Sequence, residues 1–139
     1  MKAISLLKGL GLLFLTTIMA SCSEENTNIA AEKNLIGTWS WVSTSGGFAF
    51  HINDTPATTG KNIDLKFTGD GKYLYYTNGI LSSEGTYQFS SQKSIVDGTC
   101  KKSIIFSVGG EMIISKLDNT NLLLDDNNYD GIGSSYIKE

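Results

Sequence analysis

The stretch Leu35-Ile36-Gly37-Thr38-Trp39-Ser40-Trp41-Val42-Ser43 is the first strongly strand-like run of this chain. Its residues alternate, so that Gly37, Trp39 and Trp41 share one face of an extended backbone, while the residues between them share the other. Two indoles on one face indicate a hydrophobic core. Gly37 has no Cβ and therefore leaves room for a large ring, or another backbone, to come close to the strand.

Short alternating runs continue to the C terminus, separated by turn residues. Phe48, Phe50 and Ile52 alternate with polar or small residues, which predicts a second strand over residues 48–53. Asp70-Gly71 and Gly109-Gly110 each separate two alternating runs, a strong signal for a hairpin, and a further turn is expected near Asn78-Gly79. With about eight or nine such runs and no helical periodicity after residue 21, we predict an all-β, antiparallel up-and-down β-barrel of about eight strands.

The Gly-x-Trp of the first strand, together with residues 63–76 and 83–89, resembles the small lipocalin-like β-barrel lipoproteins of Bacteroidetes-type bacteria. The resemblance covers roughly residues 35–138 and implies a lipocalin-like fold with Gly37 and Trp39 as a structural motif. In that family a basic side chain from the last strand, usually Arg, covers this tryptophan. Here Lys138, or Lys101 or Lys102, would have to take that position, and lysine stacks less well than a planar guanidinium.

The first 21 residues have the features of a secretory leader. A basic start is followed by an apolar run over residues 9–18, which is shorter than the roughly 20 residues of a membrane helix. Met19-Ala20-Ser21-Cys22 resembles a bacterial lipobox, which implies that Cys22 becomes the lipidated first residue of the mature protein. Ordinary cleavage that leaves Cys22 free is the alternative. We expect a signal peptide over residues 1–21, a polar tether over 22–34 and one barrel domain over 35–139.

The two cysteines allow two arrangements. If Cys22 is acylated, Cys100 has no intramolecular partner and the fold must stand without a disulfide. The alternative is a Cys22–Cys100 disulfide, which an oxidising periplasm would permit. The acidic pair Glu24-Glu25 either solubilises the tether or is similar to the export tags of surface lipoproteins. We therefore expect a lipid anchor in the outer membrane, with the periplasmic and surface faces both left open.

The charge of the chain limits its partners. Removal of residues 1–21 lowers the count of basic residues from 11 to nine against 14 acidic residues, which gives a formal charge of −5. The chain has no arginine, and nucleic-acid binding needs clustered basic side chains, so we expect no nucleic-acid partner. Membrane attachment would depend on the acyl chains of the anchor alone.

Large apolar side chains on the predicted inner face are candidates for lining a ligand cavity. Such a cavity would combine an apolar wall with tyrosine hydroxyls that orient a small hydrophobic ligand, bound without covalent chemistry. In the alternative, the rings fill the barrel, and loops 54–61 and 91–101 contact an envelope protein as an interaction or inhibitor module. Near residue 112 the facing is ambiguous, since Met112 and Ile114 compete with Ile113. The cavity candidates are Trp41, Phe48, Phe50, Leu65, Phe67, Tyr73, Tyr75, Tyr87 and Phe89.

The sequence predicts no catalytic residue, metal or cofactor, and the protein is expected not to be an enzyme. His51 is the only histidine and alternation places it outward, while no serine or cysteine lies in a G-x-S-x-G context. Residues 126–131 fit the first half of a calcium loop, but Ile137 stands where its closing glutamate should be. Asp, Asn and Gly also form ordinary turns.

Overall fold

The computed structural model describes residues 33–139, which form one antiparallel sheet that closes on itself. A 3-10 turn at Phe48–Phe50 and a short helix, α1, at Pro56–Thr59 lie between the first and third strands. The strands are β1 Gly37–Gly46, β2 Ile52–Asp54, β3 Ile63–Phe67, β4 Lys72–Thr77, β5 Ile80–Lys93, β6 Cys100–Phe106, β7 Gly110–Leu117, β8 Asn121–Asp125 and β9 Ile132–Lys138.

The barrel closes where the first strand pairs with the last. β1 and β9 are antiparallel, with Trp39 opposite Lys138 and Gly46 opposite Ile132. From β3 to β9 each strand pairs with the next one along the chain, and β3 also pairs with β1. Eight strands therefore form the wall, and the short β2 pairs with the end of β1. The predicted up-and-down β-barrel of about eight strands is confirmed.

Tight turns with left-handed residues connect the hairpins. In the β4–β5 turn, Asn78 and Gly79 have φ angles of 52° and 76°, the conformation whose twist matches that of the flanking strands. In the β3–β4 turn, Gly71 has a φ of 78°, and the Thr68 amide donates to the Lys72 carbonyl at 2.9 Å. The turns at Asp70-Gly71 and Asn78-Gly79 lie where the sequence predicts them.

Trp39 closes one end of the barrel. Its side chain is fully buried, and its indole Nε1 donates to the Leu35 carbonyl at 2.7 Å. The Lys138 Nζ lies 5.0 Å from the centroid of the indole and donates to the Asn34 carbonyl at 2.7 Å. Of the three lysines that the sequence offers as the cation, Lys138 is the one that covers this ring.

Gly37 makes room for that lysine. A Cβ built on Gly37 would lie 2.7 Å from Cε of Lys138, and the φ of Gly37 is 138°, which disfavours an L side chain. The space beside the first strand is therefore occupied by the aliphatic stem of Lys138, neither by a ring nor by another backbone.

The prediction of a strand over residues 48–53 is wrong in its first half. Gly46 has a φ of 126°, and a Cβ there would lie 2.1 Å from the Gly131 carbonyl oxygen, so the end of β1 runs directly against the β8–β9 loop. Ala49 and Phe50 follow with φ angles of 58° and 53°. The backbone therefore turns at Phe48–Phe50, and pairing resumes only at Ile52.

The placement of Phe48 and Phe50 in the interior is also wrong. Because the turn breaks the alternation, the two side chains are 76% and 88% exposed. His51 is exposed, as predicted.

Trp39→Ala should lower the free energy of unfolding by about 3 to 5 kcal/mol, because it removes a large buried ring and leaves a cavity beside Lys138. Chemical denaturation followed by circular dichroism measures this change. Val42→Ala, at a position 40% exposed on the same strand, is the control and should cost about 0.5 kcal/mol or less. Equal denaturation midpoints for the two variants would contradict the burial of the indole.

Candidate ligand-binding cavity

Side chains fill the barrel at the end where β1 begins. The interior side chains that are at most 1% exposed are Leu35, Trp39, Phe67, Ile104, Leu122 and Leu124. Ser103 is also buried, on the face of β6 opposite that of Ile104, and its hydroxyl donates to the Glu111 carboxylate at 2.5 Å, so the polar atom is satisfied.

Two tyrosines are held in place by hydrogen bonds from their hydroxyl groups. Tyr73 donates to the Val108 carbonyl at 2.9 Å, and Tyr87 donates to the Thr68 carbonyl at 3.0 Å. Each ring also packs edge-on against a phenylalanine: Tyr73 against Phe106 and Tyr87 against Phe67, both with centroids 5.0 Å apart. Because both ends of each side chain are constrained, these rings form a rigid wall.

Above the packed half lies a cavity of about 310 Å³ that is open to solvent. Its wall is mainly apolar and includes Val108 and Gly109 of the β6–β7 turn, so it reaches that end of the barrel. Successive strands alternate in direction, which places this turn at the end opposite the start of β1. The cavity is lined by Leu65, Tyr73, Tyr75, Ser83, Phe106, Val108, Gly109, Met112, Leu124 and Tyr136.

A chain of neutral polar groups runs behind one side of the cavity. The Trp41 indole Nε1 donates to the Thr44 hydroxyl at 2.9 Å, and this hydroxyl lies 2.7 Å from that of Ser134. Ser134 also hydrogen-bonds to Tyr136, whose side chain reaches the cavity. Hydroxyl groups that are paired with one another hold their orientation, so the bond to Ser134 restrains the Tyr136 phenol at the cavity wall.

The surroundings of the tyrosines at the cavity disfavour the ionised form of their phenols. Burial raises the pKa of Tyr136 to about 12, and the neighbouring Tyr75 adds to the rise, while the hydrogen bond with Ser134 acts in the opposite direction. Burial also raises the pKa of Tyr75. Both phenols therefore remain neutral hydrogen-bonding groups well above neutral pH.

The structure separates the nine predicted cavity residues into three groups. Leu65, Tyr73 and Tyr75 line the cavity. Trp41, Phe67, Tyr87 and Phe89 belong to the packed core or lie against it. Phe48 and Phe50 lie in solvent, as described above.

Alternation in the sequence does not identify several of the residues that line the cavity. Met112 and Ile114 pack against the core cluster, which settles the facing of β7 that the sequence leaves ambiguous. Tyr136 faces inward opposite Trp41, a pairing that appears only once β1 and β9 meet. Phe106 lies on β6, and Ser83 shares the inner face of β5 with Tyr87 and Phe89, but the sequence singles out neither residue as part of a cavity.

A second depression, of about 300 Å³, lies on the outside of the wall, between the β5–β6 and β8–β9 loops. Ile113 contributes to it and is outside the core cluster. Asn127 links the two loops, since its Oδ1 accepts from the Ile95 amide and its Nδ2 donates to the Lys93 carbonyl, each at 2.9 Å.

The segment considered as half of a calcium loop is a turn in the structure. Oδ1 of Asp126 accepts a hydrogen bond from the Ile132 amide at 3.0 Å, and the Gly131 amide donates to the Asn128 carbonyl at 3.1 Å. Within residues 33–139, no group of three or more His, Cys, Asp or Glu side chains is arranged to hold a metal ion.

The predicted signal peptide, Cys22 and most of the predicted tether lie outside the described residues. Cys100, the first residue of β6, is disulfide-bonded in the structure. Across residues 33–139, no helix has the length and apolar character needed to span a membrane.

The described chain is thus a closed antiparallel β-barrel, packed at one end and with an apolar cavity towards the other. This architecture is compatible with a ligand-binding protein of lipocalin-like fold. Comparison of the chain with protein-family models and with curated proteins finds no match.

The raised pKa of Tyr136 makes stability depend on pH in the alkaline range. The folded protein holds the phenol proton more tightly than the unfolded chain, in which tyrosine ionises near pH 10. The free energy of unfolding should therefore fall between about pH 10 and pH 12, and Tyr136 should account for about 2 kcal/mol of the loss. Urea denaturation across this range measures it.

Tyr136→Phe should show a smaller alkaline loss than the wild type. Tyr129→Phe, at a position 78% exposed, is the matched control and should retain the wild-type loss. Parallel curves for the wild type and Tyr136→Phe would contradict the burial of this phenol.

Proposed function

We propose that the protein is a lipocalin-like binding protein of the bacterial envelope that holds a small hydrophobic ligand non-covalently in the barrel. The observation that supports this proposal is the cavity of about 310 Å³ with an apolar wall. Its volume is at the lower end of the range of about 300 to 1,000 Å³ for small-molecule sites. A small ligand is therefore favoured over a long-chain lipid.

The lining also has the composition expected of such a site. Leu65, Phe106 and Met112 supply apolar surface, and Tyr75 and Tyr136 supply a few polar groups. Binding sites for small molecules usually combine these two elements, since apolar area provides affinity and sparse hydrogen bonds provide orientation. The rigid Tyr73–Phe106 pair keeps this wall from collapsing into the space.

Filling the cavity should abolish binding. Ser83 lines the cavity, whereas the next residue, Glu84, is exposed on the other face of β5. Ser83→Trp should therefore obstruct the cavity and eliminate most of the fluorescence enhancement of a neutral naphthalene dye such as N-phenyl-1-naphthylamine. Glu84→Trp adds the same indole outside the barrel and should bind the dye as the wild type does.

Native mass spectrometry of protein purified from its own envelope provides a second measurement. The wild type and Glu84→Trp should retain a small molecule that Ser83→Trp lacks. If the wild type binds no dye and retains no molecule, or if Ser83→Trp behaves like Glu84→Trp, the cavity is not the binding site and the proposal fails.

The envelope location that we propose rests on the sequence features around Cys22. The acylated cysteine would be joined through the polar tether to the start of β1. The cavity reaches the β6–β7 turn, at the end of the barrel opposite the start of β1. Acylation of Cys22 and a Cys22–Cys100 disulfide exclude each other, because a thioether sulfur cannot form a disulfide.

Labelling with a radioactive fatty acid separates the two arrangements. The wild type and Cys100→Ala should both incorporate label, and Cys22→Ala should not. Label that persists in Cys22→Ala, or an unlabelled wild type whose mobility on a non-reducing gel changes on reduction, would rule out the anchor. An unlabelled wild type with this change in mobility would favour the disulfide that Cys100 makes in the structure.

A protein-interaction module is the second candidate, and the loop after β1 favours it. Phe48 and Phe50 are highly exposed, and left-handed backbone angles at Ala49 and Phe50 hold them there. Exposed aromatic side chains on a constrained loop are typical of contact surfaces between proteins. This function does not require the cavity and is compatible with ligand binding.

A further inference from the structure

The lining of the cavity contains no ionisable group other than its tyrosine phenols. Among its ten residues there is no Asp, Glu, Lys, Arg or His. Its polar side chains are Tyr73, Tyr75, Tyr136 and Ser83, and the Tyr73 hydroxyl already donates to the Val108 carbonyl. A ligand would therefore meet three neutral hydroxyl groups and no cation.

Tyr75 is the hydroxyl with capacity to spare. It lies on β4, next to Tyr136, and its side chain is half-buried. Burial alone raises the pKa of Tyr75, and within residues 33–139 no hydrogen bond contributes to this pKa. This hydroxyl can therefore donate to, or accept from, a molecule in the cavity. A ligand hydroxyl or carbonyl would supply the partner for this hydrogen bond.

The same surroundings disfavour an anionic ligand. The lining offers no cation to a negative charge, and burial raises the pKa of both Tyr75 and Tyr136 in keeping with this. A carboxylate would lose hydration in the cavity and find no positive side chain in compensation. Lys138 does not line the cavity, since it covers Trp39 at the closed end and donates to the Asn34 carbonyl.

We propose that the cavity selects neutral ligands carrying a single hydroxyl or carbonyl group over anionic ligands with the same carbon skeleton. This selectivity rests on the proposed ligand-binding function. The neutral polar group lies against Tyr75 and Tyr136, and the hydrocarbon part lies against Leu65, Phe106 and Met112. Uncharged alcohols, ketones and esters fit the site, and free carboxylic acids, which are ionised at neutral pH, do not.

Calorimetric titration with decanol and with decanoate at neutral pH tests this selectivity, because the two probes share one chain and differ in charge. Decanol should bind the purified protein about tenfold or more tightly than decanoate. Tyr75→Phe should weaken decanol binding several-fold, since it removes the hydroxyl partner and keeps the ring. Tyr76→Phe, the neighbouring residue on the other face of β4, is the matched control and should bind decanol as the wild type does.

A charge placed in the cavity should reverse the preference. Ser83→Lys introduces a cation at a lining position that is not fully buried, and it should strengthen decanoate binding about tenfold while decanol binding falls or stays constant. Circular dichroism confirms that each variant is folded.

The outcomes separate the two proposals. If neither probe binds the wild type, the ligand-binding function itself fails, and the selectivity fails with it. If decanoate binds the wild type as tightly as decanol or more tightly, the function stands and the selectivity for neutral ligands is overturned. Equal effects of Tyr75→Phe and Tyr76→Phe would overturn the assigned role of the Tyr75 hydroxyl.

Discussion

The contact between Trp39 and Lys138 is the constraint on which the rest of the barrel depends. It joins the first strand to the last, so it closes the sheet and fixes its register at the same time. The indole and the lysine each donate to a carbonyl just before β1, those of Leu35 and Asn34. A slip of one residue at this seam would turn the indoles outward, because side chains alternate between the two faces of a strand.

The interior shows how one barrel can hold both a solid core and an open space. In the lower half, large side chains around Phe67 and Ile104 fill the volume. In the upper half, Tyr73 and Phe106 are fixed by each other and by the bond from the Tyr73 hydroxyl to Val108, so they cannot move inward to fill the cavity. Close packing in one region thus preserves the space in the other.

The sequence predicts the fold much better than it predicts the site. Alternation, Asp-Gly and Asn-Gly turns and the Gly37–Trp39 pair are local signals, and local signals are sufficient for strands that pair with their neighbours. The failure at Phe48 and Phe50 has a non-local cause, because the end of β1 meets the Gly131 carbonyl of a distant loop. Tyr136 cannot be identified from alternation for the same reason, because it lies opposite Trp41 only after β1 has paired with β9. Whether rings pack or surround a space depends on their combined volume, which alternation does not measure.

The separation of the barrel into a filled half and a hollow half has a consequence for how such a protein changes over generations. Trp39 and Phe67 keep the chain folded without lining the cavity, whereas Leu65, Tyr73 and Leu124 belong both to the core cluster and to the lining. Ser83 lines the cavity and lies outside the core cluster, so substitutions at this position remove few core contacts. Related chains could thus acquire new binding preferences while the seam between the first and last strands stays the same.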